Sequence, residues 1–167
     1  MRKIRYIVLH CSASEWGDAD VINEWHKERG FDQIGYHFVV LNGYHTYKQY
    51  KTEKVDVDYV GKIEKGRNIE KPGAHVKGMN SDSIGICMIG NETFHKKQIR
   101  ITKDLIYRLM REFKVPITNV IGHYETETGA TQGKTCPNYD MTKVRSSIKL
   151  RTQLRNVFHP KWFFDRL

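Results

Sequence analysis

The sequence predicts an α/β fold with a mixed central β-sheet flanked by helices, and three observations carry that expectation. Residues 4–11 (IRYIVLHC) and 83–89 (SIGICMI) are compact β-forming runs, the second nearly continuous in apolar residues and suited to a sheet centre. Segments with helical stripes lie between and after them. Asn42-Gly43 signals a tight turn, which requires at least one antiparallel pairing and therefore a mixed sheet.

Each element has its own local reason. Alternation along the first strand puts Tyr6, Val8 and His10 on one face and Ile7, Leu9 and Cys11 on the other. The polar stretch 12–18 breaks it. A helix over 20–29 follows, with Val21, Ile22 and Trp25 on one stripe, Asp18 or Asp20 as N-cap and Gly30 as stop. Residues 35–41 read as a second strand, leading through the Asn42-Gly43 hairpin into 44–50. Residues 54–64, where Val55, Val57 and Tyr59 alternate, read as further β structure or a long excursion. Thr102 is placed to cap a helix whose inner stripe is Leu105, Ile106, Leu109, Met110 and Phe113, ended by Pro116. Val120 and Ile121 form a short strand, and Asp140 caps a weaker helix through Val144 and Ile148. No repeat or linker composition divides the chain, so one domain is expected over 1–167. Residues 146–167 form its C-terminal extension, and the cluster Trp162, Phe163 and Phe164 is expected to pack back because leaving it wet is costly.

Composition narrows the function classes. Lys and Arg number 28 against 19 Asp and Glu, a formal charge of +9. That surplus suits a polyanionic partner such as nucleic acid, an anionic membrane face or a bacterial wall, or simply a solvated surface. Cys11, Cys87 and Cys136 form no CxxC pair, and an odd count argues against a disulfide framework and for synthesis in a reducing compartment. No apolar run is long enough to cross a bilayer, and the short basic start containing Arg5 reads as a strand, not a signal peptide. Cytoplasmic synthesis, no membrane insertion and a monomer are the expectation.

Metal-ligating residue types sit at the ends of elements. His10 closes the first strand. His123 follows Val120-Ile121-Gly122, whose glycine permits close backbone approach. Cys136 precedes Pro137, which biases it toward an extended conformation. Two imidazoles and one thiolate suit zinc and leave a fourth position open. His26, on the helix beside Trp25, and His37, in the second strand, read better as satisfied buried histidines.

An ordered set of motifs then resembles a known family. Ile7-Val8-Leu9-His10-Cys11-Ser12-Ala13-Ser14, Trp25-His26-Lys27 and Gly35-Tyr36-His37-Phe38 come first. Gly66-Arg67, Gly73-Ala74-His75-Val76-Lys77-Gly78-Met79-Asn80 and Ser83-Ile84-Gly85-Ile86-Cys87 follow, then Gly122-His123 and Lys134-Thr135-Cys136-Pro137. Together they cover most of residues 4–145 and are similar to the zinc-dependent N-acetylmuramoyl-L-alanine amidases typified by bacteriophage T7 lysozyme, which share a fold with the peptidoglycan recognition proteins. The resemblance implies hydrolysis of the bond between N-acetylmuramic acid and L-alanine in peptidoglycan or muropeptides. It implies zinc on His10, His123 and Cys136, with Tyr36 and Lys134 as catalytic side chains. It also implies a substrate groove at His75, with Arg67 and Asn80 added from the matching motifs.

Local geometry adds to the resemblance. Strand alternation sends Tyr36 and His37 to opposite faces, so only one reaches the metal, and Lys134 and Cys136, two apart in an extended segment, share a side. Glu125 is a candidate to support His123, or else a solvated loop residue. Two stretches depart from the family pattern. Residues 44–65, rich in Lys and carrying Tyr44, Tyr47, Tyr50 and Tyr59, are expected as an extended hairpin beside the groove, and 124–133 as a long flexible loop.

Two rival readings remain at the level of sequence. A wall-binding module of this fold can lack the cysteine ligand, whereas Cys136 is retained here. A nucleic-acid-binding protein would account for the charge, but no nucleic-acid motif accompanies it and no stable nucleic-acid complex is expected.

Overall fold

The computed structural model describes residues 2–158; the aromatic cluster expected to pack back, at 162–164, lies outside them. Five strands, β1 (Tyr6–Cys11), β2 (Phe38–Val40), β3 (Ile63–Lys65), β4 (Ser83–Met88) and β5 (Val120–Gly122), build one sheet in the order β3-β2-β4-β1-β5. The pairings β2·β4, β4·β1 and β1·β5 are parallel and only β2·β3 is antiparallel, so the sheet is mixed as expected. The apolar run around Cys87 supplies the central strand β4, buried along its whole length.

Helices cover both faces: α1 (Ala19–Glu28) on one, α3 (Lys96–Phe113) and α5 (Met141–Phe158) on the other. Strand alternation assigns the residues. Ile7, Leu9, Val40, Ile84, Ile86 and Met88 pack with Leu105, Ile106 and Leu109 of α3 and with Met141, Val144 and Ile148 of α5. Val39, Leu41, Cys87 and Ile89 pack with Ala19 and Ile22 of α1 and with Ile34. His10 stands beside Cys87 in the β1·β4 register, which puts its imidazole on the α1 face.

Capping decides where the helices begin. Asp18 accepts the Val21 amide at the start of α1, and Asp140 accepts the Thr142 and Lys143 amides at the start of α5. The α3 helix starts well before the expected cap at Thr102. His95 and Gln98 form a reciprocal capping box, and Thr102 lies buried inside the helix, its hydroxyl donating to the Gln98 carbonyl. Gln98 also donates to the Val40 and Ile89 carbonyls, tying the first turn of α3 to the sheet.

The stretch 44–65 is not an extended hairpin. Thr46 and Gln49 form a second capping box that starts a short helix, α2 (Tyr47–Lys51), where a strand was expected. Gly43 has φ +92 and its carbonyl accepts the Asp56 amide at 2.9 Å. A Cβ at Gly43 would lie 2.6 Å from the Asp56 carbonyl oxygen, so the glycine serves a close chain approach instead of a two-residue turn. The antiparallel partner of β2 is therefore the more distant β3, and Val55, Val57 and Tyr59 lie in turns and irregular structure. The segment 124–133 is likewise ordered: a 3₁₀ turn over His123–Glu125 runs into α4 (Glu127–Thr131), capped by Thr126.

Candidate metal centre

β1 and β5 are adjacent, so the last residues of one sit beside the turn that leaves the other, and this brings His10 to His123. Their ring centroids are 4.7 Å apart. Cys136 reaches the same point because its segment is bound to that turn: the Tyr124 amide donates to the Cys136 carbonyl at 2.9 Å. A Cβ at Gly122 would come within 2.8 Å of Pro137, so the close approach expected of this glycine is present. Gly129 supports the turn from the other side, where a Cβ would lie 1.9 Å from the His123 carbonyl oxygen.

One nitrogen of His10, one nitrogen of His123 and the Cys136 sulfur lie within 4.8 Å of one another. Zinc–nitrogen and zinc–sulfur bonds of about 2.0–2.3 Å let a single ion bridge donors at that spacing with little adjustment. The donor set, two imidazoles and a thiol, is also the right chemistry for zinc. Nδ1 is the His10 atom that faces Cys136, 3.8 Å from its sulfur. The Cys11 amide donates to that sulfur at 3.2 Å, which favours a thiolate. A hydrogen bond between the Cys11 and Cys136 sulfurs, followed by burial, holds the Cys136 thiol up, and the same hydrogen bond pulls Cys11 down to about 7 against the effect of its burial. Metal binding therefore releases the Cys136 proton. Burial, then the neighbouring histidines His75, His123 and His26, hold His10 neutral. Burial, then Lys134, lowers His123. Neutral imidazoles are the form a metal needs.

Tyr36 lies beside the centre, its ring 5.0 Å from that of His10 and 5.3 Å from that of His26. Burial keeps its phenol well above the usual range, hence protonated. The expectation that Tyr36 and His37 point to opposite faces is corrected. Regular pairing begins only at Phe38, and Tyr36 packs with the α1-side cluster, not on the Phe38 and Val40 face. His37 follows β2 parity onto the same side, where its Nδ1 accepts the Gly85 amide at 3.0 Å. His26 accepts the Gly35 amide at 2.9 Å and fixes the segment that carries Tyr36. Both histidines are thus structural, as expected. Lys134 is exposed and precedes Cys136 by two residues, its charge close enough to lower His123.

The remaining expected site residues surround the centre or brace the loops beside it. His75 touches the centre from below, its Nδ1 3.1 Å from His10 Nε2. Asn80 clamps the loop that holds it, its side-chain oxygen accepting the His75 and Val76 amides. Arg67 is buried, with its guanidinium donating to the Ile34, Gln33 and Pro72 carbonyls and to Asp32. Those bonds make it a strut between loops with little left for a substrate. Glu125 accepts the Gly122 amide at 2.8 Å and a two-bond contact from Arg145, so it braces the backbone leading into His123 and is not a solvated loop residue.

Sequence reading passed over a groove of about 320 Å³ lined by Ser12, Ala13, Ser14, Trp25, Glu28 and Arg29. It runs from the loop after His10 and Cys11 along α1. Only the tertiary fold joins those two stretches; the nearest signal was the Trp25-His26-Lys27 motif.

A sheet that gathers two histidines and a cysteine at its strand ends, beside a protonated tyrosine, defines a metallohydrolase centre. The profile of Amidase_2, N-acetylmuramoyl-L-alanine amidase, matches residues 1–139, and the chain belongs to that family. It is a zinc-dependent amidase directed at the N-acetylmuramoyl–L-alanine bond of peptidoglycan. The chain is 29% identical over 151 residues to the endolysin of Klebsiella phage KP32, covering 82% of each. It is 28% identical over 148 residues to the endolysin of Escherichia phage T7, again covering 82% of each. The fold matches N-acetylmuramoyl-L-alanine amidase LysC from Clostridium intestinale with a TM-score of 0.70 at 23% identity, over 89% of this chain and 87% of that one. Among the described residues no helix is long and apolar enough to cross a membrane.

Proposed function

We propose that His10, His123 and Cys136 hold the zinc ion of this amidase, and that Tyr36 and Lys134 are the side chains that act on the substrate beside it. The observation that carries this is the convergence of the three donor atoms within 4.8 Å against the Tyr36 ring. When bound, zinc supplies Lewis acidity toward the scissile carbonyl and acidity to a water molecule. The rest of the work falls to the chain.

Hydrolysis joins a water oxygen to the lactyl carbonyl carbon, breaks the bond to nitrogen and must deliver a proton to the departing amine of L-alanine. Negative charge builds on the carbonyl oxygen on the way. The Lys134 ammonium offers fixed positive charge to it, and the Tyr36 hydroxyl, kept protonated by burial, offers a hydrogen bond or a proton for the amine. The groove lined by Ser12, Ala13, Ser14, Trp25, Glu28 and Arg29, which starts two residues after His10, is the surface on which the substrate would lie.

Mass spectrometry of purified peptidoglycan digested by the zinc-loaded protein tests this reading. Stem peptides with a free L-alanine amine, paired with glycan that keeps its lactyl carboxylate, are expected. Cleavage between sugars, or within the stem, would replace it.

A further inference from the structure

A chain of hydrogen bonds runs from His10 away from the metal side, and its direction is fixed by its far end. The Met79 carbonyl can only accept, so the Ser83 hydroxyl, 2.6 Å from it, donates its one proton there. Ser83 then has only lone pairs for His75 Nε2, at 3.4 Å, and that nitrogen must carry hydrogen. A neutral His75 with hydrogen on Nε2 presents a bare lone pair at Nδ1. His10 Nε2, 3.1 Å away, must be the donor, which leaves the lone pair of His10 on Nδ1, the atom that faces Cys136. Reversing any one link leaves two hydrogens, or two lone pairs, facing each other.

The fold reserves space for this relay. A Cβ at Gly73 would come 2.4 Å from the His75 ring and one at Gly85 2.6 Å, so the imidazole occupies a slot that only glycine leaves open on both walls. Asn80 anchors the His75 backbone through two hydrogen bonds, and Ser83 is fully buried. No carboxylate takes part in these contacts, so a neutral histidine does what a carboxylate or carbonyl commonly does behind a metal-bound imidazole.

We propose that His75 is a positioning residue: it accepts the Nε2 hydrogen of His10, sets the tautomer and ring angle of that histidine, and thereby makes Nδ1 the ligand atom. This rests on the reading of His10 as a zinc ligand. His75 acts through His10 and has no need to touch the substrate.

The test is the zinc dissociation constant, measured by competition with a chromophoric chelator, for wild type, His10→Ala, His75→Phe, His75→Asn and Ser83→Ala. Loss of the acceptor in His75→Phe is expected to weaken zinc binding by about 10- to 100-fold, the usual effect of losing such a partner. In His75→Asn the amide oxygen stands near the Nδ1 position, so affinity should recover most of that loss, which restored packing alone would not explain. Ser83→Ala should weaken binding in the same direction but less. Long-range ¹H–¹⁵N spectra of the zinc-loaded wild type should show His10 protonated at Nε2, a readout that does not depend on any variant folding. Wild-type affinity in His75→Phe, or hydrogen on Nδ1 of His10, would overturn the positioning role while His10→Ala still lost zinc. Wild-type affinity in His10→Ala would instead remove the reading of the site itself.

Discussion

The backbone amide of Cys11 donates to the sulfur of Cys136 at 3.2 Å, fastening the end of β1 to a segment 125 residues further along the chain. The bond does two things at once. It stabilises negative charge on the sulfur, and it aims the sulfur at His10 Nδ1. The ligand set is thus built into a sheet that carries an apolar core on both faces.

Cys136→Ser is therefore expected to lose zinc while keeping the fold. A hydroxyl is a far poorer zinc ligand than a thiolate, and the chain is long enough to fold without a metal. Elemental analysis after gel filtration at micromolar protein, alongside a thermal melt, checks both halves. Full zinc occupancy in this variant would remove Cys136 from the ligand set.

Tyr36→Phe and Lys134→Met should each leave zinc content near normal and lower turnover by roughly 10²- to 10³-fold, the scale of losing one donor to a developing oxyanion. Phe keeps the ring that packs against His10 and His26, and Met keeps much of the aliphatic length of an exposed lysine. Measured kcat and KM on a soluble muropeptide separate the two effects. Near-wild-type kcat in both variants, with zinc bound, would leave them without a part in the chemistry.

The stability of the zinc-free protein should fall in mild acid. Burial holds His75 at about 3 and His37 at about 4, both below the unfolded value of 6.5. Below pH 6.5 the unfolded chain takes up protons that the folded chain refuses, so stability is full above that value. It drains as pH falls toward 4 and then 3, at about 1.4 kcal/mol per pH unit for each histidine. Thermal midpoints of chelator-treated protein at pH 7.5, 6 and 5 should decline in that order. A flat profile across that window would show that these histidines are not held neutral by the fold.

The formal charge of +9 should act on the polymer more than on the chemistry. Raising ionic strength is expected to weaken sedimentation with intact walls more than it slows cleavage of a small soluble muropeptide, because long-range attraction is screened beyond about 8–10 Å. Equal salt sensitivity in the two assays would end the case for electrostatic recruitment.

How much of this was legible in the sequence depended on how local the cause was. Strand periodicity gave β1, β4 and the face of His10, and single side-chain caps gave the starts of α1 and α5. The two capping boxes compete with more conspicuous signals in the sequence: Asn42-Gly43 predicts a hairpin, and Thr102 stands next to the apolar stripe of α3. Alternation separates Tyr36 from His37 only if strand parity holds two residues before the paired strand begins at Phe38, and it does not. Arg67 and Asn80 stand out through the matching motifs and Glu125 through its place after His123, but their partners Ile34, His75 and Arg145 are set by tertiary packing, which no spacing encodes. The groove along Ser12 and Trp25 escaped for the same reason.

Zinc titration into metal-stripped protein, with release of stem peptides from purified peptidoglycan followed by mass spectrometry, tests the central claim most directly. The account predicts no release without metal, then a linear rise that stops at one zinc per chain, every product carrying a free L-alanine amine. Undiminished release from metal-free protein, or a second equivalent of zinc needed for turnover, would contradict a single His10–His123–Cys136 centre.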